Sequence, residues 1–355
     1  MIKLSEFLPP RPEESSWRLI RQVGVDNVVG VLNGAEQDQR MFASVGAGGW
    51  KADDRDELPW SEAALKRNIE IYDDYGFTLV ALEDTAPIDK ARLGLDGRDE
   101  QIENVIAQIR AMGRLGVPTL AYNWMGLTSW GRTDIAIADR GGALVTGYDR
   151  ATAQGREPLV QPGEVTRDQM WAGLEYFLNA VVPVAEESGV RLAMHPDDPP
   201  QQEDRNLPRI MSSAEAFRRL LALHPSEYNG ITFCQGNFAL MPEVIDGTTT
   251  IPELIREFGA ENIPFVHFRD VKGTVDHFQE TFHDAGQTDM PACMDAYYEI
   301  GFAGAMRPDH VPTLAGELNT RPGYETLGRL FAIGYIRGLE QSAYGHPVTG
   351  SREEN

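Results

Sequence analysis

Short runs of β-branched and apolar residues recur along the chain, separated by longer stretches in which apolar positions return every three or four residues. That alternation of periods is the signature of strand–helix–strand units feeding a parallel sheet. The pattern predicts strands at 27–32 (NVVGVL), 77–83 (FTLVALE), 117–123 (VPTLAYN), 190–195 (VRLAMH), 230–234 (GITFC), 263–268 (IPFVHF), 280–283 (ETFH) and 304–307 (GAMR). It predicts helices over 61–75, 99–115, 167–188, 213–223, 251–258 and 324–338. Ser212 and Ser213 stand where a helix N-cap is needed, and Gly76, Gly116 and Gly189 close helices directly before strands, because glycine enters the left-handed backbone of a helix C-terminus without a Cβ clash.

Eight strands with helical crossovers fit a (β/α)8 TIM barrel better than an open sheet. No GxGxxG or P-loop follows the first predicted strand, which argues against a dinucleotide or nucleoside-phosphate site. The rhythm breaks over 124–164, where Gly-rich, turn-rich sequence replaces the expected helix. A long loop in a compact domain is usually functional or disordered. This one is expected either to cover an active site or to run over the surface. The chain is therefore read as one barrel domain over 1–340, with 124–164 inserted and 341–355 as a C-terminal tail.

Composition narrows the partners. The 355 residues are 42% hydrophobic and 24% charged, ordinary for a globular protein, and α/β barrels reach this length as a single domain. A net charge of −22, from 54 acidic against 32 basic residues, repels nucleic acid and anionic membrane surfaces. The start, MIKLSEFLPP, has no apolar stretch behind basic residues, and no run approaches the roughly 18 apolar residues of a membrane span. A cytoplasmic location is expected. Cys234 and Cys293 form no disulfide framework, consistent with a reducing compartment.

Four residues of metal-ligand type fall at the carboxyl ends of predicted strands: His195 in AMHPDDPP, Cys234 in GITFCQGN, His267 in FVHFRD and Asp309 in MRPDH. Each alone has an ordinary structural reading, as a packed histidine, a small buried hydrophobe or a turn former. Their coincidence is the informative point, since the carboxyl ends of barrel strands converge on one mouth. On the predicted strands, one unit is skipped between His267 and Asp309. Two imidazoles, a thiolate and a carboxylate suit Zn²⁺, Fe²⁺ or Mn²⁺ and disfavour magnesium. His310 and Tyr324 are candidate proton-transfer groups, and His283 closes the seventh predicted strand. Arg132, Arg269, Lys272 and Arg307 stand where an acidic substrate would need charge, Arg307 foremost because a buried arginine requires an anion.

These motifs resemble the mannonate dehydratases, within the xylose-isomerase-like group of metal-dependent barrels. HPDDPP, NGIT before Cys234, FVHFRDV, FQET, AGQTDM, RPDH and the PGY at 322–324 occur in the family's order over roughly residues 70–340, although Val311 stands where a glycine commonly follows RPDH. The resemblance implies that His195, Cys234, His267 and Asp309 bind Mn²⁺ or Fe²⁺, with His310 and Tyr324 at the reacting carbons; Arg307, from its strand-end position, is the further catalytic candidate. It implies conversion of D-mannonate to 2-dehydro-3-deoxy-D-gluconate and water in hexuronate (glucuronate) catabolism. The expected partner is a small sugar acid, with neither nucleic acid nor membrane, and the enzyme is expected to be a homo-oligomer, a dimer or higher. A sugar isomerase or epimerase on the same barrel would use more carboxylate-rich ligation. A non-catalytic sugar-acid-binding barrel has no use for His310 and Tyr324.

Overall fold

A computed structural model describes residues 2–33 and 57–345. Its strands in chain order are β1 (Lys3–Phe7), β2 (Asn27–Gly30), β3 (Thr78–Leu82), β4 (Thr119–Asn123), β5 (Asp134–Ala138), β6 (Leu144–Asp149), β7 (Arg191–His195), β8 (Glu203–Asp204), β9 (Leu207–Pro208), β10 (Asn229–Cys234), β11 (Phe265–Phe268), β12 (Val271–Thr274), β13 (His277–Glu280) and β14 (Ala305–Pro308). Eight of them close into a barrel in the order β1-β14-β11-β10-β7-β4-β3-β2, and β1 and β2 pair in parallel to seal it. The protein is a (β/α)8 barrel, as the alternating periods predicted.

Two memberships differ from expectation. The strand β1 was not foreseen: KLSEF carries Ser5 and Glu6 among its buried positions, so its hydrophobic pattern is interrupted although the strand is enclosed. Residues 280–283 are not a barrel strand. Gly273 (φ 121°) lies in β12, which pairs antiparallel with β13 after a short connection, and such local pairing forms more readily than a distant parallel one. This hairpin is an insertion between β11 and β14, which are direct neighbours. No barrel unit therefore separates His267 from Asp309.

The 124–164 excursion is ordered by the same sheet. Its strands β5 and β6 form a hairpin, and β6 pairs with β13, giving the antiparallel order β12-β13-β6-β5 built from the loops that follow β4 and β11. The helix Arg150–Gln154 completes the excursion.

Helices agree closely with the periodicity. The predicted 167–188 helix is observed as Arg167–Ser188, opened by a reciprocal Thr166/Gln169 capping box and closed by left-handed Gly189. Ser213 caps Ala214–Leu223 through the Ala216 amide. The last helix, Thr326–Tyr344, runs past the expected end of the domain at 340; residues 346–355 of the expected tail lie outside the described residues. Between strands and helices lies a large apolar layer. A second cluster fills the barrel itself, from Phe7, Val29, Val80, Ala121, Ala193, Phe265 and Ala305, with Trp130 and Tyr324. Among the described residues no helix is long and apolar enough to cross a membrane.

Candidate metal centre and catalytic cleft

Strand register assembles the first half of the site. His195 and Cys234 are the last residues of β7 and β10. Cys234 pairs in register with His267, and His267 with Arg307. Ligand atoms of His195, Cys234 and His267 all lie within 4.8 Å of one another, with His195 Nε2 3.2 Å from His267 Nδ1. Asp309, one residue past β14, borders this group, its Oδ2 lying 3.5 Å from His267 Nδ1. The structure thus brings together the four candidate ligands, three of them as one tight group.

The electrostatics suit a cation. Burial alone would raise the Cys234 thiol, but the Arg269 guanidinium and hydrogen bonds from both histidines bring it down to about 5, so sulfur is a thiolate near neutrality. Burial also works against charge on Asp309, yet Arg307 outweighs it and holds the carboxyl well below the usual range. Burial and Arg307 push His267 down, while Glu83 and Asp309 more than compensate and raise it to about 10. Carboxylates that favour imidazolium at this point equally favour a metal ion in place of the proton. The donor set, one thiolate and two imidazoles beside a carboxylate, fits a borderline divalent cation.

The candidate proton-transfer pair stands beside this group. His310 is buried and its ring meets Trp130 edge-on at 4.9 Å and Tyr324 at 5.4 Å. Tyr324 Oη donates to Asp309 Oδ1 at 3.1 Å. Burial, helped by Arg132 and Arg269, pushes the His310 imidazolium well down; burial, helped by Asp309, pushes the Tyr324 phenol well up. As held, the imidazole is neutral and the phenol protonated.

Sequence reasoning missed Glu83, although it stands at a strand's carboxyl end. It follows β3, halfway round the barrel from β11, and reaches across the mouth so that Oε1 lies 3.2 Å from His267 Nε2. Arg307 grips it with Nε and Nη2, each at 3.0 Å, and donates Nη1 to Asp309 Oδ1 at 2.7 Å. Burial opposes ionisation of Glu83, but Arg307 and His267 lower it to about 2. Trp130, Asp198 and Glu280 were missed as well. Asp198 lay within the HPDDPP motif and Glu280 within FQET; nothing local marked Trp130.

The basic residues expected near an acidic substrate meet protein carboxylates here. Arg307 pairs with Glu83 and Asp309, and Arg132 and Arg269 pair with Asp198 and Glu280. Lys272 is exposed on β12. His283 is fully buried and, among the described residues, its ring finds no side-chain hydrogen-bond partner, only the Phe268 backbone nearby.

Above these groups opens a cleft of about 1030 Å³, counted out to solvent, whose walls include Glu83, Arg92, Asn123, Trp130, His310 and Tyr324. A cluster of metal-ligating side chains and a histidine–tyrosine pair at the carboxyl ends of barrel strands defines a barrel enzyme with a metal-type centre in its mouth. Its family is that of the D-mannonate dehydratases (UxuA), to which the chain belongs: the family model matches residues 16–163 and 153–347. The chain is 34% identical over 312 residues to mannonate dehydratase from Enterococcus faecalis, covering 79% of this chain and 84% of that one. It is 34% identical over 314 residues to mannonate dehydratase from Thermotoga maritima, covering 79% and 85%. The crystal structure of mannonate dehydratase from Streptococcus suis superposes with a TM-score of 0.83 at 27% identity, over 97% of this chain and 96% of that one. An L-ribulose 3-epimerase at 16% identity and TM-score 0.54 shares the fold alone. The sugar-acid dehydratase class expected from the motifs is the class this family defines.

Proposed function

We propose that this chain is a metal-dependent hydro-lyase that converts D-mannonate to 2-dehydro-3-deoxy-D-gluconate and water. The observation that carries the reading is the meeting of His195, Cys234 and His267 within 4.8 Å, with Asp309 alongside and its Oδ1 shared by Arg307 and Tyr324. His195, Cys234, His267 and Asp309 would hold the ion, Mn²⁺ or Fe²⁺ in this reading. When bound, the ion supplies Lewis acidity for the negative charge that builds on substrate oxygen as C2 loses its proton.

The rest falls to side chains. One group must take the C2 proton and another must protonate the departing C3 hydroxyl, so that the enol left behind becomes the 2-keto acid. His310 and Tyr324, held as neutral imidazole and protonated phenol, supply one acceptor and one donor. Arg307 fixes Asp309, and through Glu83 it is tied to His267. Trp130 packs against both His310 and Tyr324 and excludes water from that side.

We read the chain as one catalytic barrel with the antiparallel sheet as its cap, working in the cytoplasm as a homo-oligomer in hexuronate breakdown. Support comes from the family and from the absence, among the described residues, of any helix able to cross a membrane. The thiolate ligand argues against an isomerase or epimerase, whose ligation is more carboxylate-rich. The test is an assay of Mn²⁺-loaded protein on D-mannonate and its epimers, following the 2-keto product. Turnover of D-mannonate with loss of the C3 hydroxyl is expected; epimerisation or isomerisation without water loss would overturn the reading.

A further inference from the structure

Beneath the antiparallel sheet four ionised side chains meet out of contact with water: Arg132 before β5, Glu280 at the end of β13, Asp198 after β7 and Arg269 after β11, none more than 1% exposed. Arg132 Nη1 and Nη2 donate to the two oxygens of Asp198 at 2.8 and 3.1 Å, and Nη2 also reaches Glu280 Oε1 at 2.6 Å. Arg269 closes the square, donating Nε and Nη2 to Glu280 at 2.8 and 2.6 Å and Nη1 to Asp198 at 3.1 Å. Arg269 crosses the chain at Gly236, where a Cβ would stand 2.8 Å from its Nε. Two cations and two anions balance, and each carboxylate is gripped by both guanidiniums.

This cluster has ends that leave it. Arg269 Nη1 lies 3.5 Å from Cys234 Sγ, and Arg132 Nη2 lies 3.3 Å from His310 Nε2. The second contact constrains chemistry. Both Nη2 hydrogens already go to Asp198 and Glu280, so the Arg132 guanidinium, itself held rigidly by two carboxylates, braces the His310 ring by close contact at its Nε2 edge. The ring is thereby fixed in orientation by a residue of the excursion, while Trp130 from the same excursion meets it in a T-shaped contact at 4.9 Å.

We propose that Arg132 is a positioning residue for His310, and that Glu280, by anchoring Arg132, makes the antiparallel sheet part of the catalytic apparatus. This rests on the role given above to His310. Lysine at position 132 keeps the charge but cannot serve both Asp198 oxygens, Glu280 and His310 at once. In metal-loaded protein, Arg132→Lys should keep its metal content and fold, keep KM for D-mannonate within roughly twofold, and lose roughly tenfold or more in kcat. A folded, metal-loaded Arg132→Lys with the parent kcat would overturn the proposal. His310→Asn separates the two readings: if it is fully active, the role of His310 fails, whereas an inactive His310→Asn beside a fully active Arg132→Lys sinks only the positioning role. Should Arg132→Lys fail to fold, the milder Glu280→Gln, which keeps the shape of the anchor and removes its charge, decides. Long-range ¹H–¹⁵N spectra of histidine-labelled, Zn²⁺-loaded protein, with the His310 signals identified by their loss in His310→Asn, should show those signals displaced in Glu280→Gln, which loosens the anchoring of Arg132; His310 signals identical to the parent's would overturn the proposal.

Discussion

His310 holds a φ of 47°, in the left-handed region that a side chain other than glycine enters at a cost of about 1–3 kcal/mol. Such strain persists only where the surroundings over-determine it, and here the Val311 amide is bonded to Gly323 O at 2.8 Å while Trp130, Tyr324 and Arg132 surround the ring. His283 shows the opposite condition, a buried imidazole that no side chain holds by a hydrogen bond among the described residues. Burial lowers its pKa to about 4. The unfolded chain binds its proton near 6.5, so the contribution of neutral His283 to stability is complete above that pH and is lost as pH falls from 6.5 through 4. The span corresponds to about 3 kcal/mol at most. In His283→Phe the loss of Tm between pH 6.5 and pH 4 should be smaller than in the parent. Identical acid slopes in thermal melts of the two proteins would show that His283 is already charged or hydrated in the fold.

Strands and loops divide the work. Barrel strands place ligands by register, so that Cys234 is level with His267 and His267 with Arg307, while loops bring residues that no register specifies. Cys234 and Cys293 are both buried, yet their elements give them opposite chemistry. Cys293 sits in the helix Met290–Glu299, where burial pushes its thiol well up and leaves it a small hydrophobe. Cys234 ends a barrel strand beside Arg269 and two histidines and is a thiolate. Cys234→Ser should therefore lower Mn²⁺ affinity by roughly tenfold or more, whereas Cys293→Ser should leave it within about twofold. Titration of metal-stripped proteins followed by elemental analysis measures both; equal affinities would remove Cys234 from the ligand set. The predicted strand at 280–283 failed for a related reason. Thr281 and Phe282 are β-type residues, but the chain turns back on itself through β12 and β13 before a parallel partner is reached.

At the scale of the whole molecule, two connected clusters of buried charge lie at the barrel mouth, and stability should depend on what occupies them. The four-membered cluster under the cap is internally balanced, and removing one member would cost about 3–5 kcal/mol by leaving its partner charged and alone. The metal-type centre is different, because thiolate, Glu83 and Asp309 converge on the imidazoles and Arg307. A ligand bound only by the folded state stabilises it by about 2.7 kcal/mol at a free concentration one hundred times its Kd. Adding Mn²⁺ to chelator-treated protein should raise Tm, and the rise should be much smaller in Cys234→Ser. A parent Tm that ignores both chelator and Mn²⁺ would mean that the centre holds no ion in the fold.

The periods of hydrophobic and polar positions determined the barrel, because a strand buried on both faces and a helix buried on one leave different spacings, and these survive in the linear chain. For the same reason His195, Cys234, His267 and Asp309 were legible: strand ends can be located, and in a closed parallel barrel all strand ends meet. The strand β1 escaped because Ser5 and Glu6 interrupt its pattern, Ser5 being satisfied by Met306 O at 3.0 Å from a strand some three hundred residues away. Glu83, Trp130 and Glu280 became site residues only through closure of the barrel and docking of the excursion. A carboxylate beside a histidine looks the same in sequence whether the two face water or each other. The partners of Arg132 and Arg269 lie 66, 148, 71 and 11 residues away. Distances in space of this kind are decided by which surfaces bury one another, and no local periodicity records them.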